Sequence, residues 1–212
     1  MAGESRWALT EASQFFEGKG AVQETLRRIT ARLDGLGVPY VVAGGLALFA
    51  QGYRRFTEDV DLLVTPEGLK KAHKELEGAG YVALFAGSKG LRDAQSGVKI
   101  EFLVTGQFPG DGKPKPVSFP DPESVAVTRD GIKYLRLNSL IELKLASGMT
   151  SPDRLRDLAD VLELIRTLNL PKEFAEQVSP FVRGKYQELW QSLAGRGQDE
   201  DEDREGSKSP AG

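Results

Sequence analysis

The run Asp59-Val60-Asp61-Leu62-Leu63-Val64 constrains this chain more than any other stretch. Its aliphatic and β-branched residues predict a short buried strand. Side chains alternate along a strand, so Asp59 and Asp61 project from one face. Two neighbouring carboxylates on an apolar strand repel one another and resist desolvation unless positive charge sits between them. A hard divalent cation such as Mg²⁺ meets that need, because it takes oxygen ligands and completes its shell with substrate phosphates. Glu101, in the second apolar run Val98-Lys99-Ile100-Glu101-Phe102-Leu103-Val104, is the candidate third carboxylate from a neighbouring strand. Three carboxylates suffice to seat two metal ions for in-line phosphoryl chemistry. The plainer reading of the Asp pair is a solvent-facing strand edge. For Glu101 it is an exposed ion pair with Lys99, which lies on the same strand face.

Upstream, Val38 to Ala43 reads as another strand, Gly44-Gly45 breaks it, and Leu46 to Gln51 opens a helix. A strand, two glycines and a helix start let backbone N–H groups approach a phosphate closely. A glycine pair also serves ordinary strand-to-helix geometry. Arg54 and Arg55 precede Thr57, close to the acidic pair. Arg55 either contacts a triphosphate or neutralises Glu58 and Asp59.

Taken together, Gly44-Gly45, then Arg55-x-Thr57-x-Asp59-Val60-Asp61, then Glu101 resembles the nucleotidyltransferase superfamily. That superfamily includes the DNA polymerase β palm and small antibiotic nucleotidyltransferases. Within it, the chain is most similar to the minimal bacterial branch related to AbiEii-type toxins of toxin–antitoxin and abortive-infection systems. The superfamily core covers about Val38 to Val104. Farther on, Leu137 to Leu145 with its Lys144, and Arg154-Leu155-Arg156-Asp157-Leu158-Ala159-Asp160, are similar to the helical Lys and Arg-x-x-Asp elements that follow the palm.

The resemblance implies an α/β (α+β) fold, a small mixed sheet flanked by helices and followed by a helical C-terminal subdomain. It implies transfer of an NMP from an NTP substrate to an acceptor, and in this branch a toxin with a cognate antitoxin as partner. It makes Asp59, Asp61 and Glu101 the catalytic metal ligands, for Mg²⁺ or alternatively Mn²⁺. Gly44, Gly45, Arg55, Thr57 and Lys144 become the nucleotide-binding set. The acceptor stays open among tRNA or other RNA, a protein side chain and a small molecule. Gly45 stands where the family often carries serine, which removes a hydroxyl ligand for phosphate. Without the resemblance, Lys144 reads as a snorkelling surface lysine, and Asp160 as an ordinary i,i+4 partner of Arg156. Two rival classes remain: an Asp-x-Asp glycosyltransferase, and a non-catalytic nucleotide-binding or interaction module.

Composition narrows the chemistry. The chain has no cysteine and one histidine, His73, expected as an exposed helix residue. Any metal must therefore be bound mainly by oxygen, and a thiolate site is excluded. No stretch approaches the roughly 20 apolar residues of a membrane span, and the N-terminus lacks a secretory layout. The expectation is a cytoplasmic protein without a membrane partner. The net charge of −3 resides in the segment from Arg196 onward, which carries three basic and six acidic residues, leaving 25 of each elsewhere. That balance argues against a basic nucleic-acid groove over the whole surface and leaves room for a local patch.

Four regions are expected: a helical segment 1–37, a nucleotidyltransferase core 38–137, a helical subdomain 138–194 and a disordered acidic tail 195–212. Val22, Leu26, Ile29, Leu33 and Leu36 recur at helical spacing. Pro66 opens a helix ending near Gly78 or Gly80. Tyr81 to Phe85, Leu91 to Gln95 and Val98 to Val104 are further strands, and Lys133 to Leu137 is an expected edge strand. Ser139 and Glu142 form a capping-box pattern, and Ser151-Pro152 starts the next helix. The apolar face of that helix is expected at Leu155, Leu158, Ala159, Leu162 and Ile165. Val182, Tyr186, Leu189, Trp190 and Leu193 mark a terminal helix.

Overall fold

The computed structural model describes residues 20–206, with side chains as far as residue 193. The early part of the N-terminal segment and the last tail residues, 207–212, lie outside the described residues. Two compact units divide the chain. One comprises the chain up to Phe108 with Ser118–Leu140, and the other Pro109–Val117 with the chain from Ile141 onward.

The first unit is built on α1 (Ala21–Gly35), β1 (Tyr40–Val42), α2 (Gly44–Ala50), β2 (Asp59–Val64), α3 (Pro66–Leu76), β3 (Tyr81–Ala83), β4 (Leu91–Asp93), β5 (Lys99–Val104), α4 (Pro122–Val125), β6 (Ala126–Arg129) and β7 (Ile132–Leu135). Its strands form one mixed sheet in the order β3-β4-β5-β2-β1-β7-β6. The central pairs β2–β5 and β1–β7 are parallel and the others antiparallel. The expected mixed α/β architecture is the one observed. Among the described residues no helix is long and apolar enough to cross a membrane.

Burial follows the pleat. Val60, Leu62 and Val64 of β2 and Ile100 and Phe102 of β5 share one core with Val22, Leu26, Ile29 and Leu33 of α1 and Ala72 and Leu76 of α3. Residues of opposite parity, Asp59, Asp61 and Glu101 among them, face away from that core. Thr65 starts α3 by accepting the Gly68 N–H at 3.0 Å, with Pro66 in the first turn as its fixed φ favours.

A half-buried ion pair ties α1 to the β4–β5 turn. Arg28 donates to Asp93 Oδ2 through Nη2 at 2.8 Å and Nε at 3.2 Å, and the N–H groups of Gln95 and Ser96 donate to Oδ1. Burial raises the Asp93 pKa, but the Arg28 hydrogen bonds and the two backbone donors outweigh it, so the carboxyl lies below its usual range. A depressed folded pKa stabilises the fold above the unfolded value, near 4, and that contribution fades as pH falls through the folded pKa. Asp93→Asn is therefore expected to lose stability at neutral pH, with the gap to wild type closing as the solution is acidified below pH ~4. Urea unfolding across that range measures it. A gap that stays constant with pH would rule the ion pair out as its origin.

Several sequence expectations are corrected. The strand expected at Lys133 to Leu137 is not an edge: β7 lies between β1 and β6, and β6 is the edge strand. The hairpin that adds β6 turns at Asp130-Gly131, whose φ values of 49° and 77° are those of a type I′ turn. His73 is half-buried rather than exposed, with its ring bonded to Glu77 and to the Lys89 carbonyl.

The second unit carries most of α5 (Leu137–Thr150), a 3₁₀ turn (Pro152–Arg154), α6 (Leu155–Leu168), a second 3₁₀ segment (Lys172–Gln177) and α7 (Pro180–Gly206). Ser139 is inside α5 rather than capping it, because the Leu140 N–H already bonds the Arg136 carbonyl. Glu142 instead accepts the N–H of Ser179 and so caps the start of α7. In α6 the buried face is Asp160, Val161, Leu164 and Ile165, while Leu155 is 64% exposed. The face is rotated because a charged residue, Asp160, is drawn inward. The backbone of α7 is helical as far as Gly206, past the point where a disordered tail was expected.

Candidate active site

The parallel register of β2 and β5 pairs Asp59 with Lys99 and Asp61 with Glu101. Paired residues share a sheet face, so the three carboxylates lie on the same side of the sheet, away from the core. Asp59 and Asp61 are half-buried and Glu101 is exposed. Adjacent strands lie about 4.8 Å apart, which sets the backbone spacing between Asp61 and Glu101. No ion pair joins Lys99 to Glu101, contrary to the plainer reading of that strand. Among the described residues no three His, Cys, Asp or Glu side chains are grouped to hold a metal ion.

The glycine pair is fitted to this strand. The Ala43 N–H bonds the Asp61 carbonyl at 2.9 Å, which fastens the start of α2 to β2. Gly44 then adopts φ +56°, and a Cβ there would lie 1.8 Å from Asp61 Oδ2. The Asp61 carboxylate thus rests against a backbone that has no side chain to oppose it. A Cβ at Gly45 would meet the side chain of Thr57, 2.7 Å from its Cβ and 2.9 Å from its Oγ1. Thr57 therefore fills the space that a serine at 45 would need, and brings a hydroxyl to it. Gly44→Ala is expected to cost about 1–2 kcal/mol from the left-handed backbone alone, and to push the Asp61 carboxylate aside. Thermal unfolding checks the first effect and a crystal structure of the variant the second. An unshifted Tm with Asp61 in place would refute both.

Arg55 is half-buried on the segment between α2 and β2, and Arg54 is exposed with its guanidinium 6.0 Å from the centre of the Phe49 ring. Gly44, Gly45, Thr57, Asp59, Asp61 and Glu101 thus belong to one neighbourhood of the first unit.

Lys144, assigned by resemblance to the nucleotide, belongs to the second unit. Its side chain is 8% exposed, and Nζ donates to Asp157 Oδ1 and Asp160 Oδ2, both at 2.7 Å. Ser147 Oγ donates to the other Asp157 oxygen at 2.6 Å. The expected Arg156–Asp160 surface pair is replaced by this buried cluster. Its sequence signal was a lysine flanked by apolar residues on a helix, which needs a counter-ion if it turns inward.

A mixed sheet that presents Asp-x-Asp and a partnered Glu beside a glycine-pinned helix start defines a nucleotidyltransferase-type palm. The chain belongs to a family described as uncharacterised nucleotidyltransferases, whose model matches residues 1–179. It is accordingly a transferase, and the family activity implies an NTP and an acceptor.

Among solved structures, ANT(2'')-Ia in complex with adenylyl-2''-tobramycin is similar at a TM-score of 0.53 and 11% identity, covering 79% of this chain and 97% of that one. A solution structure of the same factor gives 0.48 and 13%, covering 85% and 95%. A proposed nucleotidyltransferase from Thermotoga maritima gives 0.46 and 22%, covering 66% and 91%. No curated protein sequence matches the chain.

Proposed function

We propose that this protein transfers an NMP from an NTP to a nucleophile on its acceptor, with a divalent cation held by Asp59 and Asp61 and approached by Glu101. The carrying observation is the β2–β5 register, which aligns Asp61 with Glu101 and sets Asp59 on the same face. The donor set fits a hard cation in kind, since every available ligand is a carboxylate oxygen. Like charges on neighbouring positions spread apart, and a cation between them offsets that repulsion. When bound, Mg²⁺, or Mn²⁺ in its place, supplies Lewis-acid polarisation of the phosphates and offsets the charge that develops on the leaving group.

The chain's own groups do the positioning. Asp59 and Asp61 fix where the charged phosphates can sit, and Gly44 keeps the Asp61 carboxylate in its rotamer by leaving no atom in its way. The Thr57 hydroxyl takes the place of the family serine as a donor to phosphate, and Arg55 adds positive charge on the segment beside it. Glu101, exposed beside Asp61, faces the incoming acceptor and takes up its proton. The acceptor oxygen bonds the α-phosphorus, the bond from that phosphorus to the bridging oxygen breaks, and pyrophosphate departs. Most of the acceleration then comes from alignment and charge neutralisation.

Pyrophosphate release from each NTP, with a cell extract supplying acceptors, tests this reading. Release is expected with Mg²⁺ and loss of release with excess EDTA, restored by Mg²⁺ or Mn²⁺. Release that persists undiminished in EDTA would remove the metal from the mechanism. A binding module would bind NTP without releasing pyrophosphate, and a glycosyltransferase would release a nucleoside diphosphate from a sugar nucleotide.

The AbiEii-type resemblance supports the narrower reading of a toxin restrained by an antitoxin. Growth arrest on expression, relieved by Asp61→Asn, is its test, and normal growth with active enzyme would sink it. The likeness to ANT(2'')-Ia is one of fold and brings no acceptor with it.

A further inference from the structure

We infer that the acceptor is a phosphodiester chain, the end of a single-stranded nucleic acid, laid across the open sheet face over Lys99 and Arg92. The inference rests on the nucleotidyl-transfer reading and names its acceptor class. Register carries it. Val82 of β3 pairs with Arg92 of β4, Arg92 pairs with Lys99 of β5, and Lys99 pairs with Asp59 of β2. These four side chains form one row on one face, and at 4.8 Å per strand the row extends roughly 14 Å from the carboxylates to the sheet edge. Burial agrees: Val82, Arg92 and Lys99 are exposed, while Tyr81, Leu91, Asp93 and Ile100, of opposite parity, are buried.

The two cations are not consumed by acidic partners. Arg92 Nη1 donates to the Gly97 carbonyl at 2.7 Å, which steadies the guanidinium and leaves its other N–H groups available. Lys99 enters no ion pair among the described residues. Two adjacent positive groups next to a carboxylate site suit an anion that must be kept off the carboxylates yet close to them. A phosphate of the acceptor over Lys99 and Arg92 leaves its terminal hydroxyl beside the carboxylates, where Glu101 stands two residues along β5 from Lys99 on the same face. Beyond the row, Val82 is 48% and Phe85 69% exposed at the edge strand and just past it. Apolar and aromatic surface beside a basic track suits unpaired bases, which stack without sequence preference. A polycationic acceptor would be repelled by the same pair.

The test uses full-length protein and a short single-stranded RNA oligonucleotide, with binding read by fluorescence anisotropy over a series of salt concentrations. Arg92→Gln with Lys99→Gln is compared with wild type. Both positions are exposed, so the double variant is expected to keep its Tm. Binding should weaken roughly tenfold or more, and the slope of log affinity against log salt should fall by about 1.4, near 0.7 for each lost phosphate contact. Equal affinity and slope for the two proteins would overturn the inference. So would a mononucleotide that competes as well as the oligonucleotide, which would assign the pair to a small phosphorylated acceptor. Mg²⁺-dependent NTP binding is measured separately on both proteins. Its absence from wild type would sink the nucleotidyl-transfer reading, whereas NTP binding without oligonucleotide binding would sink only the acceptor.

Discussion

Asp61→Asn should abolish most nucleotidyl transfer while the protein stays folded. The substitution keeps the shape of the side chain that rests against Gly44, where the absence of a Cβ leaves room for an amide as for a carboxylate. What it removes is the charge opposite the cation. Losing about 3–4 kcal/mol of electrostatic stabilisation in the transition state lowers the rate roughly a hundred- to a thousandfold. Repulsion with Asp59 is relieved at the same time, so stability without Mg²⁺ should hold or rise slightly. Initial rates of pyrophosphate release and a thermal melt measure the two sides. A variant that retains near-normal rates would show that Asp61 does not hold the metal.

Lys144→Ala is expected to damage stability more than nucleotide affinity, the reverse of what the resemblance alone implies. In the folded protein its ammonium lies between Asp157 and Asp160, and Asp160 is 2% exposed. Removing the cation leaves two carboxylates facing each other, Asp160 buried and Asp157 keeping its bond from Ser147. Breaking a buried pair in this way costs about 3–5 kcal/mol. Replacing all three charges, Lys144→Met with Asp157→Asn and Asp160→Asn, should recover much of that loss, because the desolvation penalty disappears with the charges. Chemical denaturation of the two variants provides the measurement. If Lys144→Ala costs under about 1 kcal/mol and nucleotide binding collapses instead, the lysine serves the triphosphate.

The two predictions also mark where the sequence was legible. Alternation in Asp59 to Val64 and in Val98 to Val104 required strands with one acidic face, because a period of two leaves no other way to bury the aliphatic residues. The glycine pair and the proline at 66 were equally local signals: Pro66 opens its helix as expected, while the helix expected from Leu46 begins two residues earlier and takes both glycines into its first turn. Even the missed hairpin was written locally, in Asp130-Gly131, a dipeptide suited to positive φ at both positions.

Long-range partners were another matter. Nothing in the chain near Asp61 says that Glu101 stands at its level, or that Lys99 stands beside Asp59. Strand order and register are set by how two distant segments cover one hydrophobic face, and many pairings satisfy the same local pattern. The same holds for α6. Its leucines at 155, 158 and 162 suggested one buried face, but the gain from pairing Asp160 with Lys144 turned another inward. An apolar face was therefore fixed by a charge donated from a different helix. The sequence by itself determined the acidic strand, its glycine-bound neighbour and the class of chemistry they allow, because those depend on residues close in the chain. Only the tertiary structure decided that Glu101 stands level with Asp61, which basic residues flank the acidic strand and that Lys144 is held in a cluster of its own, because those depend on distances that close only when the sheet and the helices assemble.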